Sequence, residues 1–202
     1  MLELRDISFG YGRETPLYSG FSLSVEPGER VALVAPSGFG KTTLCRLAAG
    51  YELPWSGEVL CDGEPLPRKG ACPVQLVGQH PELSVDPRLR MERTLEEAGD
   101  VSGELMGALG IRGEWLSRYP HELSGGELQR FCIARAIATN PRYLVADEIS
   151  TMLDALTQAQ IWRFLLDWQR ESGAGILLVS HSPALLARLA TREVMLEAPA
   201  CR

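Results

Sequence analysis

Three short stretches carry residues whose types and spacing could do chemistry on a phosphate. The first runs Ala35-Pro36-Ser37-Gly38-Phe39-Gly40-Lys41-Thr42-Thr43. A loop of this kind works because backbone N–H groups surround the phosphates and the dipole of the helix that follows favours negative charge. The lysine reaches the outer phosphates and the hydroxyl binds magnesium. Gly38, Gly40, Lys41 and Thr42 stand in place, but Ala35 occupies the opening position where glycine is usual. At positive φ its β-carbon would cost about 1–2 kcal/mol; at the end of a strand with negative φ it costs almost nothing. The second case is expected, because the phosphate-facing glycines are untouched. A glycine-rich turn that happens to precede a helix is the plainer alternative.

The second stretch is Asp147-Glu148, which follows the apolar run from Tyr143 to Ala146. Two carboxylates are therefore expected at the carboxyl end of a strand, where open parallel sheets gather their ligands. An aspartate there suits magnesium, directly or through water, and the glutamate could polarise an attacking water. Alone, the pair reads as a solvated acidic turn; beside the loop, on the same sheet edge, the functional reading prevails. The third stretch, LSGGELQR at 123–130, is the most specific. Ser124 and Glu127 form a capping box at the head of a helix, and Gly125 and Gly126 clear side chains from that helix's exposed N–H groups, so an anion could approach. A plain cap leaves unexplained why two consecutive glycines, which weaken a helix, stand there. One chain thus holds two anion-accepting helix ends. A single nucleotide needs the second only if it comes across an interface, which points to a dimer.

The elements that must position these stretches are legible in outline. The first 60 residues read as extended: Phe21, Leu23 and Val25 alternate with polar neighbours, Pro27-Gly28 turns, and 30–35 forms a buried-strand run. A helix is expected over 41–49, with Leu44, Leu47 and Ala48 on one face and Gly50 just past its end, so the loop lies between a strand and a helix amino terminus. Residues 74–78 give a short strand. The polar, Gly-punctuated stretch 81–119, with helical patches at 91–98 and 104–109, reads as an inserted helical lobe. Beyond it come a helix over 127–139, a strand at 143–146, an amphipathic helix over 158–171, a strand at 176–179, and a short helix capped by Ser182 with Pro183 at its first position. Buried strands alternating with helices imply a parallel sheet covered on both faces.

Composition limits the alternatives. A chain of 202 residues, 45% hydrophobic and 23% charged, is expected to form one domain with a sizeable core. The net charge of −6 leaves no surplus of cations for a nucleic-acid backbone, so no nucleic-acid partner is expected. No apolar run approaches the roughly 20 residues that span a bilayer, and no signal peptide is visible, so the protein is expected in the cytosol. Cys45, Cys61, Cys72, Cys132 and Cys201 lack paired spacing and fit small hydrophobes in a reducing compartment.

With these motifs in this order, the chain resembles the nucleotide-binding subunit of an ATP-binding cassette (ABC) transporter over essentially its whole length. The resemblance implies an α/β P-loop NTPase cassette with a mainly parallel core sheet, an N-terminal antiparallel β portion and an inserted helical lobe. Residues 1–202 would be one nucleotide-binding domain, with 1–80 and 136–202 as its core and 81–135 as the lobe bearing the signature. By similarity, Tyr11 would stack on adenine, and Ser37, Gly38, Phe39, Gly40, Lys41, Thr42 and Thr43 would hold ATP. Thr42, Gln79 and Asp147 would serve Mg2+, and Gln79 would also sense the membrane partner. Glu148 would be the catalytic base and His181 would contact the γ-phosphate. Ser124, Gly125 and Gly126 would grip ATP from the opposite subunit, and Asp154 would speak across the dimer. Tyr11 also reads as a strand-end aromatic, Gln79 as a loop polar residue, Asp154 as a helix cap and His181 as a strand terminator, but all four fall at the cassette's spacing.

The stretches GQHPELSVDPRLR, RYPHELSGGELQR and TMLDALTQAQIW further resemble importers of dipeptides, oligopeptides and nickel or metal chelates. That likeness implies an ATPase on the cytoplasmic face of the membrane, a second cassette in a homodimer or heterodimer, integral membrane permease subunits and, indirectly, a solute-binding protein. Three features depart from the pattern: Ala35, Ile149 in place of the proline after the catalytic glutamate, and an end at Arg202 without the extension many relatives carry, which implies a minimal cassette. The alternatives are a cassette in a soluble enzyme assembly resembling carbon–phosphorus lyase, and a regulatory cassette that binds ATP without cutting it.

Overall fold

The computed structural model describes residues 1–12, 15–36 and 38–196. Two sheets form its frame. Strands β1 (Leu2–Phe9), β2 (Tyr18–Val25), β4 (Ser56–Cys61) and β5 (Glu64–Pro65) make an antiparallel sheet in the order β2-β1-β4-β5. Strands β3 (Arg30–Val34), β6 (Val74–Val77), β7 (Tyr143–Asp147), β8 (Gly175–Val179) and β9 (Arg192–Met195) make a five-stranded sheet in the order β6-β7-β8-β3-β9, with every pair parallel. The expected pairing of a mainly parallel sheet with an antiparallel portion is what the chain adopts.

Period-two alternation sorts the side chains of the parallel sheet into two cores. Val31, Leu33, Tyr143, Val145, Leu177 and Val179 join helix α1 (Lys41–Ala48) and the antiparallel sheet. Ala32, Leu144, Ala146, Ile176 and Leu178 join the opposite cluster, with α4 (Gly125–Ala138), α5 (Ala155–Ser172) and α6 (Pro183–Leu189). All five residues of β7 and of β8 are buried, as strands covered on both faces must be. Between β6 and β7 lie α2 (Met91–Glu96), α3 (Gly103–Ala108), single turns at Pro81–Leu83, Gly113–Trp115 and Pro120–Glu122, and then α4. Met91, Leu95, Leu109 and Trp115 bury themselves against Leu128 and Phe131 of α4.

Two helices begin earlier than their apolar periodicity suggests, each at a side-chain cap. α4 starts at Gly125 behind Ser124, and α5 starts at Ala155 behind Asp154, whose carboxylate accepts from the N–H groups of Leu156 and Thr157 at 3.0 Å. The edge strand β9 has little apolar patterning and is seen only through its ladder with β3. Cys45, Cys61 and Cys132 are buried and Cys72 is half-buried, all as free thiols; Cys201 lies outside the described residues.

Gly175 shows how tightly the two sheets approach. A β-carbon there would meet the Tyr143 ring at 2.7 Å and the Glu26 carbonyl at 2.8 Å, and Tyr143 is fully buried, so its ring has nowhere to go. Gly175→Ala is therefore expected to destabilise the chain by about 1–3 kcal/mol. Thermal unfolding should show a Tm several degrees lower with two-state melting retained.

Candidate functional site

The sheet topology opens a crevice at one edge. The connection leaving β3 runs towards β6, whereas that leaving β8 runs towards β9, so the chain diverges on opposite sides between two neighbouring strands. Such switch points are where parallel sheets bind ligands. A pocket of about 360 Å3 lies there, lined by Tyr11, Leu17, Gly38, Gly40, Lys41, Thr42, Thr43, Glu148 and His181.

Its floor is the loop into α1. Gly38 and Gly40 take φ of 84° and 82°, the left-handed region that glycine enters without steric cost. Gly40 is constrained twice, since a β-carbon would also meet the Tyr18 hydroxyl at 2.6 Å. It is the N-cap of α1 and no side chain caps that end, so the first N–H groups of the helix face the pocket without a competing side-chain acceptor. Lys41 Nζ donates to the carbonyls of Ala35 (2.9 Å) and Pro36 (3.1 Å), which fold its ammonium back over the loop. Ala35 follows the last residue of β3 and is not among the positive-φ residues, so replacing the usual glycine brings no backbone penalty. Ser37 lies outside the described residues, and Phe39 contributes its N–H to the Pro36 carbonyl at 3.4 Å.

The wall opposite comes from the ends of β7 and β8. Glu148 has φ 55°, a left-handed conformation costing about 1–3 kcal/mol for a side chain of this kind. Its N–H donates to the Val179 carbonyl at 3.1 Å. Its carboxylate, 9% exposed, has Oε1 2.8 Å from His181 Nε2. Asp147 is 5% exposed and its Oδ1 has no hydrogen-bond partner. Burial raises the Asp147 pKa, the Thr42 hydroxyl beside it opposes that rise, and the neighbouring Glu148 adds to it. A buried, orphaned carboxylate oxygen beside a threonine hydroxyl is a donor set that fits a hard divalent cation, which takes one or two such protein oxygens and completes its shell with water and phosphate. Among the described residues there is no cluster of three or more His, Cys, Asp or Glu that could hold a metal ion by itself.

Tyr11 stands at the mouth, 69% exposed, its ring edge-on to Phe9 at 5.3 Å and its hydroxyl 3.0 Å from Thr43 Oγ1. An exposed aromatic face beside a phosphate loop offers a stacking surface for a base. Leu17 completes this end of the pocket; nothing in its sequence context marks it out.

The signature stretch lies elsewhere. Ser124, Gly125 and Gly126 line a second pocket of about 510 Å3 together with Asp154, Met152 and Thr157, and the two pockets share no lining residue. Ser124 Oγ accepts from the Glu127 N–H at 3.3 Å while the Glu127 carboxylate accepts from the Ser124 N–H at 2.8 Å, the reciprocal capping box the spacing predicts. That bond pulls the Glu127 carboxyl below its ordinary range. Gly126 packs against Leu153, 3.2 Å from where a β-carbon would sit. Gln79 lines neither pocket; it follows β6 at the same sheet edge. Next to it, Gln129 of α4, 2% exposed, donates to the Gly78 carbonyl at 3.2 Å. Gln129 escaped sequence reasoning, because a polar residue within a helix normally marks the solvent face.

Comparison with known proteins bears on this geometry directly. The ABC transporter family model matches residues 18–151. The chain belongs to the ABC transporter family. It is 38% identical over 190 residues to the glutathione import ATP-binding protein GsiA of Pectobacterium atrosepticum, an alignment covering 85% of this chain and 30% of that protein. It is 37% identical over 197 residues to the nickel import ATP-binding protein NikE of Rhodospirillum rubrum, covering 87% of this chain and 70% of that one. The cassette thus spans about a third of the length of the GsiA proteins it matches. The solved structure of an ATP-binding subunit of an ABC transporter shares its architecture with a TM-score of 0.85 at 25% identity, over 98% of this chain and 86% of that one. The fold is therefore that of an ABC ATPase cassette.

Asp147 gives a test of the cassette's electrostatics. A raised folded-state pKa means that the folded protein holds the proton more tightly than the unfolded chain does. Stability from this group is therefore greatest at low pH and is lost as pH rises through the raised value. Above that value the ionised side chain costs stability that an isosteric amide does not. Asp147→Asn should raise Tm of the nucleotide-free cassette by roughly 2–4 °C, the shift that about 1 kcal/mol gives a chain of this size. Melting curves across pH should show the gain shrinking as pH falls towards the ordinary carboxylate range.

Proposed function

We propose that this chain binds and hydrolyses ATP to drive a membrane importer of peptides or nickel chelates, working as one of a pair of cassettes. The observation that carries the proposal is the separation of two anion-accepting helix ends into pockets with no residue in common. Each fits half of a nucleotide site, and two chains facing each other head to tail complete both. Exposed Met152, 67% accessible, lines the signature pocket, where apolar surface is favourably covered by a partner.

In this reading residues 1–80 and 136–202 are the nucleotide-holding core and 81–135 the lobe that carries the signature to the other subunit. Tyr11 stacks on the base, and the N–H groups of Ser37 to Thr43 with Lys41 Nζ surround the phosphates. Thr42 and Asp147 would hold Mg2+, with Gln79 reaching it from the end of β6; when bound, the ion supplies neutralisation of charge on the departing phosphates. Glu148 accepts a proton of the attacking water and aims its oxygen at the γ-phosphorus. As that bond forms, the bond from γ-phosphorus to the bridging oxygen breaks and ADP leaves. His181 holds the Glu148 carboxylate through Oε1 and stands beside the γ-phosphate. Ser124, Gly125 and Gly126 of the opposite cassette complete the phosphate shell, with Asp154 beside them. The protein's task is positioning and electrostatics, since the transition state is loose and needs little covalent help.

In this reading the cassettes lie on the cytoplasmic face and couple to integral membrane permease subunits; among the described residues no helix is long and apolar enough to cross a membrane. The names of the GsiA and NikE relatives support an importer of peptide-like or metal cargo. A solute-binding protein would deliver that cargo from the other side.

Glu148→Gln is expected to lower ATP turnover by at least about 100-fold while ATP affinity stays within about twofold, as loss of a general base requires. Lys41→Ala should instead weaken ATP binding by about tenfold or more, as removal of a charge-assisted contact to phosphate predicts. Equilibrium nucleotide binding and phosphate release, measured on both variants, separate the two effects.

A further inference from the structure

We propose that Trp162 and Gln158, both on α5, are positioning residues for Glu148, acting through the hydroxyl of Ser150. The inference rests on the reading of Glu148 as the group that aims the attacking water.

Ser150 is 4% exposed, and its Oγ accepts two hydrogen bonds from α5, one from Trp162 Nε1 at 3.0 Å and one from Gln158 Nε2 at 2.9 Å. A serine hydroxyl has two acceptor positions, so these bonds fill both, and an indole N–H is a donor with no other role to play. Trp162 is 4% exposed and belongs to the core with Ile161 and Leu165. The donor therefore sits on an element that the core holds rigid. Ser150 is fixed two residues beyond Glu148.

That position matters because Glu148 rests at φ 55°, a conformation that persists only where its surroundings over-determine it. The Val179 carbonyl holds Glu148 on its amino side. On its carboxyl side the turn is closed by two longer bonds, Thr151 N–H to the Glu148 carbonyl and Leu153 N–H to the Ser150 carbonyl, both at 3.2 Å. Of the side chains from 149 to 153, Ser150 alone hydrogen-bonds to another element among the described residues. With that anchor cut, the turn is free to relax towards negative φ, which carries the Glu148 carboxylate away from His181 Nε2. The N-cap of the same helix, Asp154, and Thr157 in its first turn line the signature pocket beside Gly126. α5 therefore sets the aim of Glu148 in one pocket and one wall of the other.

The test uses the full chain with Trp162→Phe, Gln158→Met, Ser150→Ala and the double variant Ser150→Ala/Trp162→Phe. Each single change is expected to lower kcat about tenfold through misplacement of the base, with ATP affinity within about twofold of the parent. Amide hydrogen exchange at Thr151 and Leu153 should quicken while α5 keeps its protection. The double variant should fall no further than its worse parent, because both changes cut one link. Unchanged kcat in Ser150→Ala and Gln158→Met, or losses that multiply in the double variant, would overturn the proposal. If Trp162→Phe also strips protection from α5, the change has damaged the core, and the half-buried Gln158→Met decides. Wild-type turnover in Glu148→Gln would bring down the reading of the base itself, and the inference with it. An inactive Glu148→Gln beside fully active Ser150 and Gln158 variants brings down the inference alone.

Discussion

The site depends on one row of strand pairing. In the parallel sheet Leu33 lies opposite Val179, and Val179 lies opposite Asp147. Three strands thus end level, and whatever follows each of them emerges at the same edge. The loop to Lys41 and Thr42 leaves β3, Glu148 leaves β7 and His181 leaves β8. A shift of one residue in any of these registers would turn side chains to the opposite face and separate the carboxylate from the loop. The complete burial of β7 and β8 specifies that register, since each side chain has a core to fill. Packing far from the chemistry is what brings the chemistry together.

Strain sits at the point of convergence. Glu148 takes a left-handed backbone, Gly38 and Gly40 do likewise across the pocket, and Asp147 is buried with an orphaned oxygen. The Glu148 backbone and the orphaned Asp147 oxygen cost stability in the isolated chain, and both lie at the space between the loop and the carboxylates. This is the signature of a site arranged for a charged ligand. The signature segment has a different character. Its capping box is satisfied and Gly125 lies open to solvent, with exposed Met152 lining the same pocket. In the proposed reading the first pocket holds the ligand and the second meets what a partner brings.

Much of this was legible in the sequence, because local chemistry fixed it. The glycines at 38 and 40, the capping box at Ser124 and Glu127, and the apolar runs of β7 and β8 each leave a mark on a few consecutive residues. The negative φ of Ala35 also followed, since its place at a strand end makes it ordinary. What stayed hidden was tertiary. Gln129 and Trp162 lie unremarked within helix patterns, and only the fold shows that each reaches a polar partner on a neighbouring loop. Leu17 gains its place at the pocket through the ladder of β1 and β2, which brings residues far apart in sequence together. β9, with its charged residues, declares itself only by pairing with β3.

The central claim is that one nucleotide is held by two chains. The most direct measurement is a structure of the assembly loaded with ATP and magnesium, hydrolysis being blocked. Two nucleotides are expected at the interface of two cassettes, each with its γ-phosphate within hydrogen-bonding distance of Lys41 on one chain and of the 124–126 backbone on the other. A nucleotide enclosed by Lys41, Thr42 and Glu148 of a single chain, with residues 124–126 facing solvent at saturating ATP, would contradict it.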